Sequence, residues 1–343
     1  VQGTKDRFVV EIPTGGITTR GIEYTIFAKD SLRNLGAGPA TEGLGIYCED
    51  NSEQKWTPVR VRTTADGEFR IDKDGNPVPQ PNGRDATNYT LFSVPFELDK
   101  RTPKDVLEDD LGAYDNKMWR FFEYRPELGT TAWVEYTSTL PTISPFTPGR
   151  AFFMIVSDPD KIVDSGAGKT VTTGKPDTLV LQEGWNLFGN PFNFPIHRDQ
   201  LRLINSSIPE SPDTPLSILT YERRWSELND IIEPWKGYAI YVKRRMPELP
   251  IRLVICPIAT IPPISKTLSP TQTSSKDWTI QISAMAGAAL DSINYVGARS
   301  AAAEEYDDFD RMEPPVIGDY VSVYVDNEKW TKNPMKYTAD FRP

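Results

Sequence analysis

Histidine and cysteine are scarce in this sequence of 343 residues, which contains one of the first and two of the second. Zinc sites and much acid–base catalysis at neutral pH depend on these side chains. The single histidine, His197, stands beside Arg198, and we expect it to be a surface residue near a helix start. The scarcity therefore excludes most histidine-dependent chemistry.

The two cysteines are far apart in the chain, and each stands in an apolar, strand-like run. Cys48 ends the run Gly-Ile-Tyr-Cys, and Cys256 lies in Val-Ile-Cys-Pro. Neither has the close neighbour of a metal-binding pair. Apolar surroundings favour buried free thiols, and the alternative is one long-range disulfide.

Basic clusters and long apolar runs are missing as well. The net charge is −10, and the longest basic run is Lys243, Arg244 and Arg245. Binding to nucleic-acid phosphates takes a larger excess of lysine and arginine, and a membrane-spanning helix takes about 20 apolar residues. We therefore expect neither a nucleic-acid partner nor a membrane span. The chain starts at Val1 without a signal-peptide pattern, which is typical of a processed or excised piece.

Proline, glycine and aromatic residues are plentiful, and together they predict strands. The 30 prolines and 23 glycines interrupt the chain often, which leaves few stretches for a long helix. The aromatic residues, 11% of the chain, occur in short runs between turn residues. The sequence predicts an all-β fold of tandem β-sandwich-like domains, with a central duplicated β-rich unit that carries short helices.

An internal repeat carries this prediction. Residues 91–96, Leu-Phe-Ser-Val-Pro-Phe, recur as residues 187–192, Leu-Phe-Gly-Asn-Pro-Phe, at an offset of 187 − 91 = 96. Prolines cannot donate to a strand ladder, so both should stand at strand ends. Each copy has an aromatic face that is too large to leave exposed, and we expect the copies to cover each other.

A short helix should follow the repeated motif in each copy. In the first copy, Thr102 can cap the helix and Pro103 can take its first position. In the second, Asp199 can cap residues 200–203. An aromatic strand then follows at residues 119–124 and 218–221, and each copy closes with a Pro-aromatic-Gly turn into another strand.

These patterns divide the chain into four parts. The first, residues 1–85, has alternating runs that resemble the closing strands of a fibronectin type III or immunoglobulin-like sandwich, plus a linker. The duplicated domain spans residues 86–258, with copies at about 86–160 and 178–258. A linker follows at residues 259–277. Residues 278–343 form a partial C-terminal β-sandwich with predicted strands at 278–283, 320–325 and 337–341, and the small number of strands suggests a longer natural chain.

The motifs of the central part resemble those of a known group of proteins. Residues 184–196 read Gly-Trp-Asn-Leu-Phe-Gly-Asn-Pro-Phe-Asn-Phe-Pro-Ile, with Pro-Gly-Arg-Ala-Phe at 148–152 and Pro-Trp-Lys-Gly-Tyr at 234–238. This pattern is similar to one in large modular cell-surface and secreted proteins of bacteria that use type IX secretion. The resemblance covers residues 86–343. It implies an exported, extracellular, non-catalytic region, but no sorting domain is visible.

An acidic run near the end of the chain is the one candidate metal site. Asp307, Asp308, Asp310 and Glu313 offer closely spaced carboxylates of the kind that bind calcium. Their spacing does not follow an EF-hand. The alternative is a solvated acidic loop, because the chain has 48 acidic residues. Calcium is the only cofactor that the sequence suggests.

Two further patterns have a structural and a functional interpretation. Residues 164–170, Asp-Ser-Gly-Ala-Gly-Lys-Thr, resemble a phosphate loop, but they lack its first glycine and a following helix start. We therefore expect a glycine-rich hairpin. Five tryptophans could stack on sugars, yet their recurrence in both copies favours core packing. They are Trp119, Trp133, Trp185, Trp225 and Trp235.

The leading hypothesis is a non-enzymatic structural or adhesive module of an extracellular protein, able to assemble into a filament or sheath. Its partners would be other domains of the same polypeptide or neighbouring copies. The alternative is a carbohydrate-binding module of a secreted hydrolase, with glycans as partners. An enzyme is the third hypothesis, and a groove with two carboxylates of separated pKa would favour it.

Overall fold

The structure is a computed structural model that describes residues 57–137, 143–207, 216–228, 230–259, 277–307, 309–317, 320–331 and 333–343, with short stretches of the first 38 residues. Within these residues 26 strands accompany one α-helix, and nearly all strand pairs are antiparallel. The predicted all-β, sandwich-type fold is confirmed. No helix in the described part of the chain is long and apolar enough to cross a membrane.

The described residues of the N-terminal part include six short strands. They are β1 (Gln2–Thr4), β2 (Arg7–Val9), β3 (Ile22–Tyr24), β4 (Ile26–Lys29), β5 (Leu35–Gly38) and β6 (Thr57–Val59). They pair as β1–β2, β3–β6 and β4–β5. Residues 60–83 then run along the first copy, where Arg62, Phe69 and Asn82 form isolated bridges to it.

The first copy contains a four-stranded antiparallel sheet and a smaller ladder. Its elements are β7 (Thr90–Ser93), β8 (Phe96–Leu98), α1 (Pro103–Leu111), β9 (Trp119–Tyr124), β10 (Trp133–Glu135), β11 (Ala151–Val156) and β12 (Gly168–Thr170), with 3-10 turns at Ala86–Asn88 and Pro126–Thr131. The sheet order is β10-β9-β11-β7, and β8 pairs with β12. As predicted, β7 ends before the proline of its motif.

Helix α1 forms as the sequence predicts. The Thr102 hydroxyl accepts a hydrogen bond from the backbone N–H of Asp105, 3.2 Å away, and Pro103 takes the first helical position. Val106 and Leu107 point into the core of the first copy, where both are buried. The helix therefore covers one side of this core.

The second copy repeats the four-stranded sheet of the first. Its strands are β13 (Asp177–Leu181), β14 (Gly184–Gly189), β15 (Ile196–His197), β16 (Leu201–Ile204), β17 (Ile218–Tyr221), β18 (Trp225–Glu227), β19 (Ile231–Ile232), β20 (Gly237–Val242) and β21 (Ile251–Ile255). Its four-stranded sheet has the order β18-β17-β20-β14, which matches β10-β9-β11-β7 strand for strand. Strands β13, β21 and β16 form a second sheet.

The helix predicted at residues 200–203 is wrong. A 3-10 turn at Arg198–Gln200 leads directly into β16, which pairs with β21. Leu201 and Leu203 both pack with the second core, but they do so from a strand. Leu201 and Leu203 are two residues apart, a spacing that places both side chains on one side of a strand but not on one side of a helix, so this spacing agrees with the observed strand.

The described strands of the C-terminal part belong to one sheet. Its strands are β22 (Trp278–Ala286), β23 (Ala289–Ala298), β24 (Arg311–Met312), β25 (Val325–Asp326) and β26 (Lys336–Arg342). The order is β22-β23-β26-β24, β25 also pairs with β26, and β23 and β26 run parallel. The predicted strand at 320–325 is largely wrong, because only its end pairs, as β25. Val323 instead donates its backbone N–H to Asp291.

The state of Cys256 differs from the prediction of a free thiol. Its side chain is buried, as expected, but it is bonded in a disulfide and is not a free thiol. The sequence contains one other cysteine, Cys48, which lies outside the described residues. An apolar environment is compatible with either state of a cysteine, so the local sequence could not decide between them.

The two copies are joined by reciprocal hydrogen bonds. The N–H of Gly189 in the second copy donates to the carbonyl of Gly149 in the first, at 2.9 Å. The N–H of Ser93, which matches Gly189 in the repeat, donates to the carbonyl of Trp235, at 3.2 Å. Small residues line this contact, because a Cβ on Gly237 would stand 2.8 Å from Leu91. The duplicated unit is therefore one closely packed body.

Candidate functional site

Three tryptophans of the duplicated unit bind one short segment of the C-terminal part, residues 313–316. Each donates its indole N–H to a backbone carbonyl of that segment. The hydrogen bonds are Trp133 Nε1 to Val316 O (2.7 Å), Trp185 Nε1 to Glu313 O (2.8 Å) and Trp225 Nε1 to Pro315 O (2.8 Å). We call these three side chains the indole clamp.

The repeat itself positions two members of the indole clamp. Trp133 begins β10 and Trp225 begins β18, and these are the corresponding edge strands of the two sheets. In each sheet the tryptophan lies opposite a tyrosine of the neighbouring strand, Tyr124 or Tyr221. Duplication therefore places two equivalent indoles at equivalent edges. The recurring Trp-x-Glu in the sequence was the signal that could have revealed them.

Phe153 on β11 lies at the centre of the aromatic cluster under the clamp. Four rings from both copies contact it, with centroids 5.0–6.3 Å away. They are Tyr221 (5.0 Å), Trp133 (5.2 Å), Trp225 (5.9 Å) and Tyr89 (6.3 Å). Most of these pairs meet edge to face, the geometry that aromatic quadrupoles favour. The predicted burial of aromatic faces between the copies is confirmed.

The segment that the clamp binds contains two adjacent prolines and belongs to no strand. Pro314 is buried, and its neighbour Ile317 belongs to the aromatic cluster. Proline lacks an N–H, so this stretch offers carbonyl acceptors with few competing donors. Indole N–H groups are donors only, which makes them suitable partners. An ion pair between Arg311 and Glu227 adds a second link to β18.

Two carboxyl groups lie where the C-terminal part contacts the duplicated unit, a contact that we call the joint. Burial raises the pKa of Glu313 to about 7. One of its oxygens accepts from the Ser322 hydroxyl, and the other is buried without a partner. Burial likewise raises the pKa of Asp310 to about 6. Ionisation of these groups therefore works against the docked arrangement.

The acidic run does not gather into a metal cluster in the described part of the chain. Asp310 accepts from the backbone N–H groups of Asp307 and Phe341, each at 3.0 Å. Asp307 accepts from the N–H of Phe309, at 2.8 Å. Asp308 lies outside the described residues, so the calcium site stays a prediction. Asp307 and Asp310 use their oxygens to order the loop.

The tryptophans predicted to pack in the core do so. Trp119, Trp225 and Trp235 are buried, and Trp133 and Trp185 are half-buried in the indole clamp. Trp278 is the contrasting case, with 51% of its surface exposed. None of the five tryptophans considered for sugar stacking presents a free face together with a free N–H.

A cleft of about 700 Å³ lies between the two copies. Glu123 lines this cleft and is buried. Burial by itself would raise the pKa of its carboxyl group. Hydrogen bonds from Arg125 and Ser144 outweigh this effect, so the pKa lies below its usual value. Arg150 binds the other oxygen. Asp177 lines the same cleft, and burial raises its pKa.

The pKa values of Glu123 and Asp177 are shifted in opposite directions, which is the condition that the enzyme hypothesis sets. Glu123 is nevertheless a poor general base. Both oxygens of Glu123 already accept hydrogen bonds from fixed donors, which holds the carboxylate in place as a structural anion. The other carboxyl groups that line the cleft are those of Asp177, Glu97 and Glu127, and Glu97 is held in ion pairs with Arg60 and Lys169.

Two other sequence candidates have structural roles. Residues 168–170 form β12 and pair with β8, so the phosphate-loop interpretation is wrong, as expected, and the predicted hairpin is replaced by a long-range ladder. His197 precedes the 3-10 turn and accepts from the N–H of Asp199 through Nδ1, at 3.3 Å. This agrees with its expected position near a helix start.

Comparison of the chain with protein-family models, curated proteins and solved structures gave no match.

Proposed function

We propose that this protein is a non-enzymatic structural or adhesive module of an exported, extracellular bacterial protein, in which the duplicated unit and the C-terminal sheet act as one rigid body. The observation that carries this proposal is the indole clamp. Three donors from both copies converge on four residues of the C-terminal part, and the polar ends of the rings are used to fix one part of the chain to another.

The disulfide at Cys256 supports the extracellular assignment. Disulfides persist in oxidising compartments such as the bacterial periplasm and cell surface, and they are rare in the cytosol. The motif resemblance to type IX cargo proteins points to the same compartment. Export by type IX secretion is therefore part of the proposal.

Rigidity can be measured within one chain by spin labels. We would label Lys117→Cys in the first copy with Lys329→Cys in the C-terminal part, both exposed positions, and measure the distance distribution. A single narrow distance is expected. The control pair, Lys117→Cys with Glu248→Cys, lies within the duplicated unit and defines the width of a rigid body.

The clamp is then weakened by Trp133→Phe combined with Trp225→Phe, which keeps a ring at each site and removes two N–H donors. Each lost hydrogen bond costs about 1 kcal/mol, so the first distribution should broaden while the control stays narrow. If the protein without the tryptophan substitutions already gives a Lys117→Cys to Lys329→Cys distance distribution as broad as that of a flexible tether, the proposal is wrong.

A glycan array tests the carbohydrate-binding alternative. The structural proposal predicts no sugar binding above background. Trp278 is the exposed tryptophan of the described residues, so sugar binding that is lost in Trp278→Ala would favour the carbohydrate-binding module instead.

A further inference from the structure

Strand β22 is an open sheet edge with an apolar face. It pairs with β23 on one side, and no described strand pairs with its other side. Three alternate residues, Trp278, Ile280 and Ile282, are 51%, 53% and 37% exposed. Successive side chains of a strand point to opposite faces, so these three lie on the same face.

This edge also lacks the features that keep sheets apart. Its nine residues, Trp-Thr-Ile-Gln-Ile-Ser-Ala-Met-Ala, include no charged residue, proline or glycine. Soluble proteins usually protect a free edge with lysine, proline or a short strand. An uncharged edge of this length can accept another strand along its whole length.

We propose that β22 pairs with β22 of a second copy of this chain, antiparallel and about a two-fold axis at Ile282. This inference rests on the proposed structural function and names its partner. A two-fold axis perpendicular to the sheet keeps each face of β22 on the same side of the combined sheet. Residues whose side chains point to the same face therefore pair with each other. Full overlap of Trp278–Ala286 then centres the axis on its middle residue, Ile282.

The side chains fit this register. Trp278 meets Ala286 of the second copy, Ile280 meets Ala284, and Ile282 meets its own counterpart. Each large residue therefore faces a small one except at the axis, where two isoleucines form a favourable cross-strand pair. The chain carries a net charge of −10. An uncharged strand is a surface on which two such chains meet with little repulsion.

Sedimentation of the intact protein over a range of concentrations tests the association. We expect a dimer that Ile280→Lys weakens at least tenfold, because lysine places a charge in the paired face. The matched control is Val180→Lys, which adds the same charge at a residue that is 65% exposed on β13. A protein that stays monomeric throughout, or a dimer that Ile280→Lys leaves unchanged, overturns the pairing.

Cross-linking tests the register. In a dimer centred on Ile282, the two Ile282→Cys side chains lie about 5 Å apart and should form an intermolecular disulfide on mild oxidation. The two Met285→Cys side chains would lie about 20 Å apart and should not, although Met285 is 75% exposed. Cross-linking of Met285→Cys alone contradicts the register.

When the doubly labelled protein is diluted with unlabelled protein, the spin-label experiment measures distances within one chain even in a dimer. A monomeric protein with a rigid joint would therefore refute the pairing of β22 and leave the structural function standing. A dimer with a loose joint would do the reverse.

Discussion

The indole ring of Trp235 lies with its centroid 5.9 Å from that of Phe96, although the two residues belong to different copies of the repeat. Trp235 stands in the turn before β20 of the second copy, yet its side chain is part of the first copy's core. Its φ of 67° is left-handed, as is that of Gly149, the corresponding residue of the first copy. The second copy thus supplies a ring that completes the first.

Replacement of this ring should destabilise both copies. Trp235→Gly relieves about 1 kcal/mol of left-handed backbone strain. Loss of a buried tryptophan costs about 3–5 kcal/mol, so the net effect should be destabilising by several kcal/mol. Urea unfolding measures this, and Arg223→Gly is the control, since Arg223 is exposed and has a φ of 65°. A neutral Trp235→Gly would contradict the role of the ring.

The close approach of the two sheets predicts a steric effect at Gly237. A Cβ there would stand 2.8 Å from the Cβ atoms of both Ala151 and Leu91. Gly237→Ala should therefore destabilise the protein by about 1–3 kcal/mol in urea unfolding. Adding Ala151→Gly should recover part of this loss, because it removes one of the two clashing atoms. Additive costs in the double variant would contradict the contact.

The joint with the C-terminal sheet should weaken as pH rises. Burial raises the pKa of Glu313 from its usual 4.5 to about 7. The folded state therefore binds this proton more tightly than the unfolded state, and the resulting stability is present below pH 4.5 and lost as pH rises to 7. Glu313→Gln should be as stable as the unmodified protein at pH 5 and more stable at pH 8, as measured by urea midpoints.

Two other carboxyl groups also contribute to the pH dependence of stability, and an exposed glutamate provides the control. Asp310 and Asp110 have pKa values raised to about 6, so the Gln variant should remove mainly the upper part of the pH dependence. Glu328→Gln changes an exposed glutamate and should leave the profile unchanged. A Glu313→Gln protein that is less stable than the unmodified one at pH 8 would show that the ionised carboxylate supports the joint.

The disulfide of Cys256 can be tested by alkylation and mass spectrometry. We expect no alkylation of Cys256 in the denatured, unreduced protein, and full alkylation after reduction. Because the residue is 1% exposed, reduction should be slow under native conditions and fast in urea. Alkylation without reductant would restore the free-thiol interpretation.

Features with a local cause were predictable from the sequence. The start of α1 follows from Thr102 and Pro103, which act on neighbouring backbone groups. The repeated motif identified β7 and β14 as corresponding strands, and the aromatic runs and Pro-aromatic-Gly turns that follow it in each copy identified two further pairs of strands. Residues 200–203 were mispredicted because pairing with β21 overrides a short helix signal.

The candidate site was predictable only in part. The sequence identified Trp133, Trp185 and Trp225 as buried aromatics of the repeat. It could not show that their N–H groups meet residues 313–316, because those residues are about 90–180 positions further along the chain.

The sequence alone determined that the chain is all-β, that its centre is duplicated and that its tryptophans are mostly interior, because periodicity and residue type are local properties. The tertiary structure decided which turn inserts a ring into which core, which carbonyls receive the indole donors and which of the described strands lie at a sheet edge. These outcomes depend on how two packed sheets exclude water and satisfy each buried N–H, and no local pattern encodes that arrangement.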